Sequence, residues 1–285
     1  MRARNLLIVA LGLLLGACAS GGSFRYPAFT AAPRVAVSGE TVSLMTEVPA
    51  TDYYVPDSQV FIGGRSGAST AGMLFGVFGV MAGMAIDQSR NQAEVGDAVA
   101  MLAQRFDGVL REALARNIAQ RTEPVRPALV AADGARDVLL LPSARFHVEE
   151  NNIATVAFRL TSRFADAAGG GEITKNYYTG FDDRKAMRGP GSWTENGGAA
   201  LRAAAERAME RLAHVAVRDI AGDFNAALEA ERMPTIRWRV KSNGQVGTQG
   251  LLGEHPEYFI VVPMGNGPPI RNIIFATDRG LVDVQ

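Results

Sequence analysis

The 285-residue chain carries 29 basic and 29 acidic residues, so its formal charge at neutral pH is zero, and 47% of it is hydrophobic. There is no basic excess of the kind that marks a nucleic-acid binder, and the hydrophobic share is that of an ordinary globular protein. Cys18 is the only cysteine; without a second, no internal disulfide can form and stability has to come from packing.

Arg2 and Arg4 precede ten uncharged, mostly apolar residues, Leu6 to Leu15, and the small pair Gly16-Ala17 leads into Cys18. A positive segment, an apolar run and small residues, in that order, make a secretory signal. At about 1.5 Å per residue the run reaches only about 15 Å, half of a hydrocarbon core of about 30 Å. Residues 1–17 therefore read as a removable signal rather than a spanning helix. The join Leu15-Gly16-Ala17-Cys18 resembles the lipobox of bacterial lipoprotein precursors. That resemblance implies diacylglycerol on Cys18, cleavage just before it, and acylation of the new amino group, as with palmitate. The competing reading is an ordinary signal peptide with a cysteine at its cleavage site. Ala19 is not the aspartate associated with inner-membrane retention in such families, so the resemblance implies the outer membrane, facing the periplasm. Cleavage removes 17 of the 285 residues and leaves 268, with 27 basic against 29 acidic once Arg2 and Arg4 are gone. That length suffices for one large or two small domains.

Residues 18–32, with Gly21-Gly22-Ser23 and Pro27, read as the lipidated cysteine and a flexible tether. Residues 33–65 are expected to form N-terminal strands, over Arg34 to Leu44 and over Tyr53 to Ile62, where β-rich apolar residues concentrate. Next come twenty-one uncharged residues, 66–86, in which Gly72, Gly76, Gly79 and Gly83 recur at spacings of four, three and four. At 100° per residue the four glycines fall within roughly 60° of one another on one helical face. Each costs about 1 kcal/mol relative to alanine in a soluble helix, and close approach of a neighbour is the natural compensation. The segment resembles the glycine zippers of bacterial envelope lipoproteins and toxins, although those often carry two such stretches. It implies a membrane-inserted or self-associating helix; a buried helix that admits a close neighbour, or a loop, are the other readings.

Glu94 to Gln120 reads as an amphipathic helix, with Val99, Leu102, Phe106, Leu110 and Leu114 on its apolar side. Three strands follow, over Asp137 to Val148, Ile153 to Phe164 and Glu172 to Gly180, with turns that suggest a meander. A polar loop from Phe181 to Gly198 precedes a second long helix, Ala199 to Ala221. The expected fold class is α+β: an antiparallel sheet packed against two long helices, in a domain over residues 94–222, plus the glycine-striped apolar helix. This element order is similar to small periplasmic modules of envelope-assembly lipoproteins. Residues 235–285 read as a β-rich segment that either forms an appendage or completes the main sheet.

Histidines 147, 214 and 255 have no His or Cys partner at ligand spacing, so neither a metal nor any cofactor is expected. Ser192 in Gly189-Pro190-Gly191-Ser192-Trp193 lacks the strand-to-helix setting of a nucleophile elbow. Glu149-Glu150 and Asp182-Asp183 read as solvated turn charge, and no catalytic residue is assigned. The long loop makes Asp182, Asp183, Arg184 and Trp193 the candidate binding residues. The expected role is non-catalytic: a membrane-anchored lipoprotein that binds an envelope protein or itself, with no nucleic acid. The alternatives are a lipid or small-ligand carrier and a hydrolase of cell-wall or lipid material.

Overall fold

The computed structural model describes residues 32–40, 52–63, 99–149, 152–165, 171–181, 183–230, 232–241, 244–264 and 272–284. Its spine is the hairpin of the two longest strands, β5 (Val138–Val148) and β6 (Ile153–Ala165), paired over their whole length from Val138 opposite Phe164 to Val148 opposite Ala154. In β6 the apolar residues Ala154, Val156, Phe158, Leu160 and Phe164 point to one face and are buried. Strand side chains alternate between faces, so a period of two puts this whole set on the core side.

Shorter strands extend the sheet on both sides. β7 (Glu172–Gly180) pairs antiparallel with β6, and β8 (Lys185–Ala186) continues the same edge at the start of β6. Against β5 lie β1 (Arg34–Val37) and β3 (Val60–Gly63), end to end and both parallel to it. β2 (Tyr53–Tyr54) pairs back on β3, and β4 (Ala128–Val130) runs parallel to β1 at the outer edge. On the far side β12 (Ile273–Asp278) joins β7 in parallel. Beyond it come β11 (Tyr258–Pro263), β10 (Val246–Glu254), β9 (Thr235–Val240) and β13 (Val282–Val284), all antiparallel. The C-terminal segment is thus part of the main sheet.

The fold expected from the sequence is corrected here. Among the described residues the sheet is mixed rather than antiparallel, counts thirteen strands, and outweighs the helices. Among the described residues one helix is long, α3 (Glu195–Ile220, 26 residues). The other expected long helix is broken into α1 (Val99–Leu102) and the 14-residue α2 (Asp107–Gln120). The break has a local cause. The Gln59 side-chain oxygen accepts from the Phe106 N–H at 2.5 Å, and Gln104 gives its carbonyl to the Gln59 N–H at 3.0 Å. Backbone groups that a continuous helix would pair internally are thus taken by the loop before β3. The mixed pairing has another cause: short apolar runs specify strands, but not their direction or partner. The glycine-striped helix at 66–86 lies outside the described residues.

Helices α2 and α3 pack together on the core face, where Leu110 and Leu114 of α2 and Leu201, Ala205, Ala208, Met209, Leu212 and Ala216 of α3 are buried over β5, β6 and β7. Regular α3 geometry starts after Gly198, since Asn196, Gly197 and Gly198 all have φ between 52° and 82°. Glycine is the residue that takes this left-handed conformation without strain. Gly198 also needs its missing side chain, because a Cβ there would stand 2.5 Å from the Met101 carbonyl oxygen. Under α3 sits a buried ion pair, Lys175 Nζ to Asp219 Oδ2 at 2.6 Å, with the Tyr177 hydroxyl donating to the same oxygen at 2.7 Å. A second cluster, with Ile236, Trp238, Phe259, Val261 and Val282, consolidates the C-terminal strands. No helix among the described residues is long and apolar enough to cross a membrane.

Candidate functional site

Helix α2 ends at Gln120 and α3 at Ile220, and the chain leaving each is fixed by one ion pair. Arg121 reaches Asp223 with both terminal nitrogens, at 2.9 and 2.6 Å, and its Nε donates to the Val125 carbonyl at 2.6 Å. The Arg121 side chain is only 5% exposed, so its charge needs this partner. Arg218 donates through Nε to the same carboxylate at 3.3 Å. Burial alone would push the Asp223 carboxyl up; hydrogen bonds and charge from Arg121 and then Arg218 hold it below the usual carboxylate range.

Between these helix ends opens a cavity of about 310 Å³, within the range of small-ligand sites, with a mostly polar wall that includes Asn117, Gln120, Thr122, Glu123, His214 and Arg218. His214 and Arg218 stand one helical turn apart on α3 and therefore share a face. Behind His214 the β10–β11 turn supplies a second histidine and a tyrosine. His214 Nδ1 lies 2.5 Å from the Tyr258 hydroxyl, the His255 ring stacks on Tyr258 at 4.3 Å, and the two imidazole centres are 5.5 Å apart. Arg211 reinforces the joint, with its guanidinium 5.2 Å from the Tyr258 ring centre and an ion pair to Asp278 at 2.9 Å.

The setting decides the protonation states. Burial, then the charges of Arg218 and His255, lower the His214 imidazole to about 4. Burial likewise lowers His255, and it raises the Tyr258 phenol above its ordinary value. At neutral pH His214 is uncharged and Tyr258 keeps its proton. When the phenol donates to Nδ1, the imidazole hydrogen resides on Nε2. Among the described residues Nε2 has no hydrogen-bond partner, and the same is true of Nη1 and Nη2 of Arg218. The cleft thus holds directional donors that the fold itself does not use.

The residues singled out from the sequence fall elsewhere. Cys18, Gly72, Gly76, Gly79, Gly83 and Asp182 lie outside the described residues. Trp193 is no surface contact: it is fully buried, its indole N–H donates to the Ala154 carbonyl at 2.9 Å, and its ring meets Phe146 edge-on at 5.6 Å. The loop around it returns over the sheet, so the large side chain fills the core. Asp183 pairs with Arg207 at 2.6 Å and Arg184 with Glu149, which fastens the loop to α3 and to the end of β5. His147 is exposed on β5, away from the other two histidines. Sequence reading missed the His214, His255 and Tyr258 group. The one local signal was the four-residue step from His214 to Arg218 on a helix.

Another cavity, of about 320 Å³, lies by Arg136, Arg163 and Glu172. No group of three or more His, Cys, Asp or Glu among the described residues could hold a metal ion. Compared with protein-family models, with curated proteins and with solved structures, the chain matches none.

Proposed function

We propose that this chain is a bacterial lipoprotein, held at the periplasmic face of the outer membrane through lipid on Cys18, whose folded part binds another envelope component without turning it over. The observation that supports binding is the cleft at the ends of α2 and α3, where His214 Nε2 and the Arg218 terminal nitrogens are held in place and unspent. Donors fixed in advance by their own packing lower the ordering cost of association. Binding is favoured over general acid–base chemistry because an imidazole at about 4 is poorly matched to proton transfer at neutral pH. The polar wall suits a charged or hydrogen-bonding partner better than an acyl chain, which favours this reading over a lipid carrier. In the same reading the segment with Gly72, Gly76, Gly79 and Gly83 supplies self-association or a second membrane contact.

Two measurements test this. Labelled palmitate should enter the wild-type protein and not Cys18→Ala, and globomycin should block processing; a Cys18→Ala protein that stays in the membrane fraction would remove the anchor from the proposal. A photo-crosslinking residue at Gln120 or Thr122, on the exposed cleft rim, should give a discrete adduct in intact cells. The same probe at Val246, exposed on β10, should not. Equal labelling at the three positions would overturn the cleft as the binding surface.

A further inference from the structure

We infer that the cleft between His214 and Arg218 is an anion site that takes a phosphate group, either as free phosphate or as the phosphomonoester of a headgroup. The inference rests on the reading of this cleft as the binding surface and gives that surface a ligand chemistry. Two guanidinium groups, Arg121 and Arg218, share the single carboxylate of Asp223. A further carboxylate, Glu123, stands 3.7 Å from Arg121 with its side chain 55% exposed and so screened by water. Glu210, which also acts on His214, is taken by Arg116 at 2.7 Å, so one unit of positive charge is left largely uncompensated, on Arg218.

The orientation of that charge is fixed. Arg218 Nε is committed to Asp223 and the guanidinium carbon lies 5.0 Å from the Phe224 ring centre, which leaves Nη1 and Nη2 as an unpaired fork. A planar fork of two N–H donors fits two oxygens of one phosphate, and a third oxygen would accept from His214 Nε2–H one helical turn away. The C-terminal end of α3 opposes an anion with about half a charge. Three of its last four carbonyls are taken, however: Val217 by the Ala221 N–H at 3.1 Å, Asp219 by Gly222 at 2.9 Å and Arg218 by Asp223 at 3.0 Å. The whole charge on Arg218 outweighs the remainder. A bound phosphate would also favour the imidazolium form of His214, so phosphate binding and proton uptake should be coupled.

The test uses the full chain in non-ionic detergent micelles, with the His214 ring followed by NMR while inorganic phosphate is added at constant ionic strength. The expected result is a saturable shift that chloride does not produce, with the His214 pKa rising by about one unit or more. Arg218→Gln should weaken phosphate binding at least tenfold, and Arg218→Lys, which keeps the charge but loses the fork, by less. Glycerol phosphate in place of inorganic phosphate separates the sources: tighter binding of the ester points to a headgroup, tighter binding of the free ion to phosphate itself. A shift that grows linearly and is matched by chloride, or one unchanged in Arg218→Gln, overturns the inference. If phosphate fails while the Thr122 adduct forms, only the ligand chemistry falls; if both fail, the cleft is not the binding surface.

Discussion

His214 Nδ1 and the Tyr258 hydroxyl lie 2.5 Å apart across 44 positions of sequence, and the contact joins α3 to β11 at the back of the cleft. It fixes the ring that faces the cavity. Tyr258→Phe keeps the packing but leaves a half-buried imidazole nitrogen without its partner, which costs about 1–3 kcal/mol. Urea unfolding should show a lower midpoint with an unchanged slope; a wild-type midpoint would mean that water replaces the hydroxyl.

Stability should fall with acid in a window set by the histidines. The His214 imidazole takes its proton at about 4 when folded and at 6.5 in its ordinary state. The unfolded chain therefore binds more protons between those values, so this contribution is fully present above about 6.5 and is lost as pH falls towards 4. His255 is shifted in the same direction. The carboxyls of Asp137 and Asp223 are held below their ordinary 3.8, so they add their loss only beneath the histidine window. Melting temperatures between pH 4 and 7 should trace this slope, and His214→Gln should flatten it.

Asp223→Ala strands the guanidinium of Arg121, whose side chain is 5% exposed, and should destabilise the fold by about 3 kcal/mol or more. Arg121→Leu combined with Asp223→Leu should cost less than Asp223→Ala alone, because no buried charge is left unpaired; Arg218, the other partner of Asp223, is 30% exposed and can turn to water. Denaturant titration of the double variant beside Arg121→Leu, Asp223→Leu and the wild type completes the cycle, and additive losses would show that the pair is not coupled.

The same logic applies beneath α3. Asp219→Ala removes the carboxylate that both Lys175 and Tyr177 address in a fully buried site, and a loss of about 3–5 kcal/mol is expected. Lys175→Met with Asp219→Leu should recover much of it. Thermal melts decide this, since a mild effect of Asp219→Ala would require water to reach the ammonium.

Trp193→Ala should behave as a core mutation, with a loss of about 3–5 kcal/mol from the cavity left behind. Trp193→Phe should fall in between, since it keeps the edge contact with Phe146 and gives up the bond to Ala154. A surface contact residue would leave stability almost unchanged, so calorimetry separates the two roles directly.

Periodicity alone made the central strands legible. The alternation of Val156, Phe158 and Leu160 in β6 and the apolar run of β5 mark strands because one face must be dry. The four-residue recurrence of Leu201, Ala205 and Met209 marked α3 in the same way. The lipobox-like join at Cys18 rests on residue order alone and stays part of the proposal, since it lies outside the described residues. The tertiary structure decided the rest. Parallel placement of β1, β3 and β12 depends on pairing partners far apart in the chain, and the break before α2 on an amide from Gln59. Trp193 looked like a surface contact because local pattern does not say whether a loop folds inward. The cleft was invisible for a related reason. Arg121 and Asp223, or His214 and Tyr258, are ordinary residues until two helix ends and a strand bring them within hydrogen-bond reach, and only there does burial set their charge.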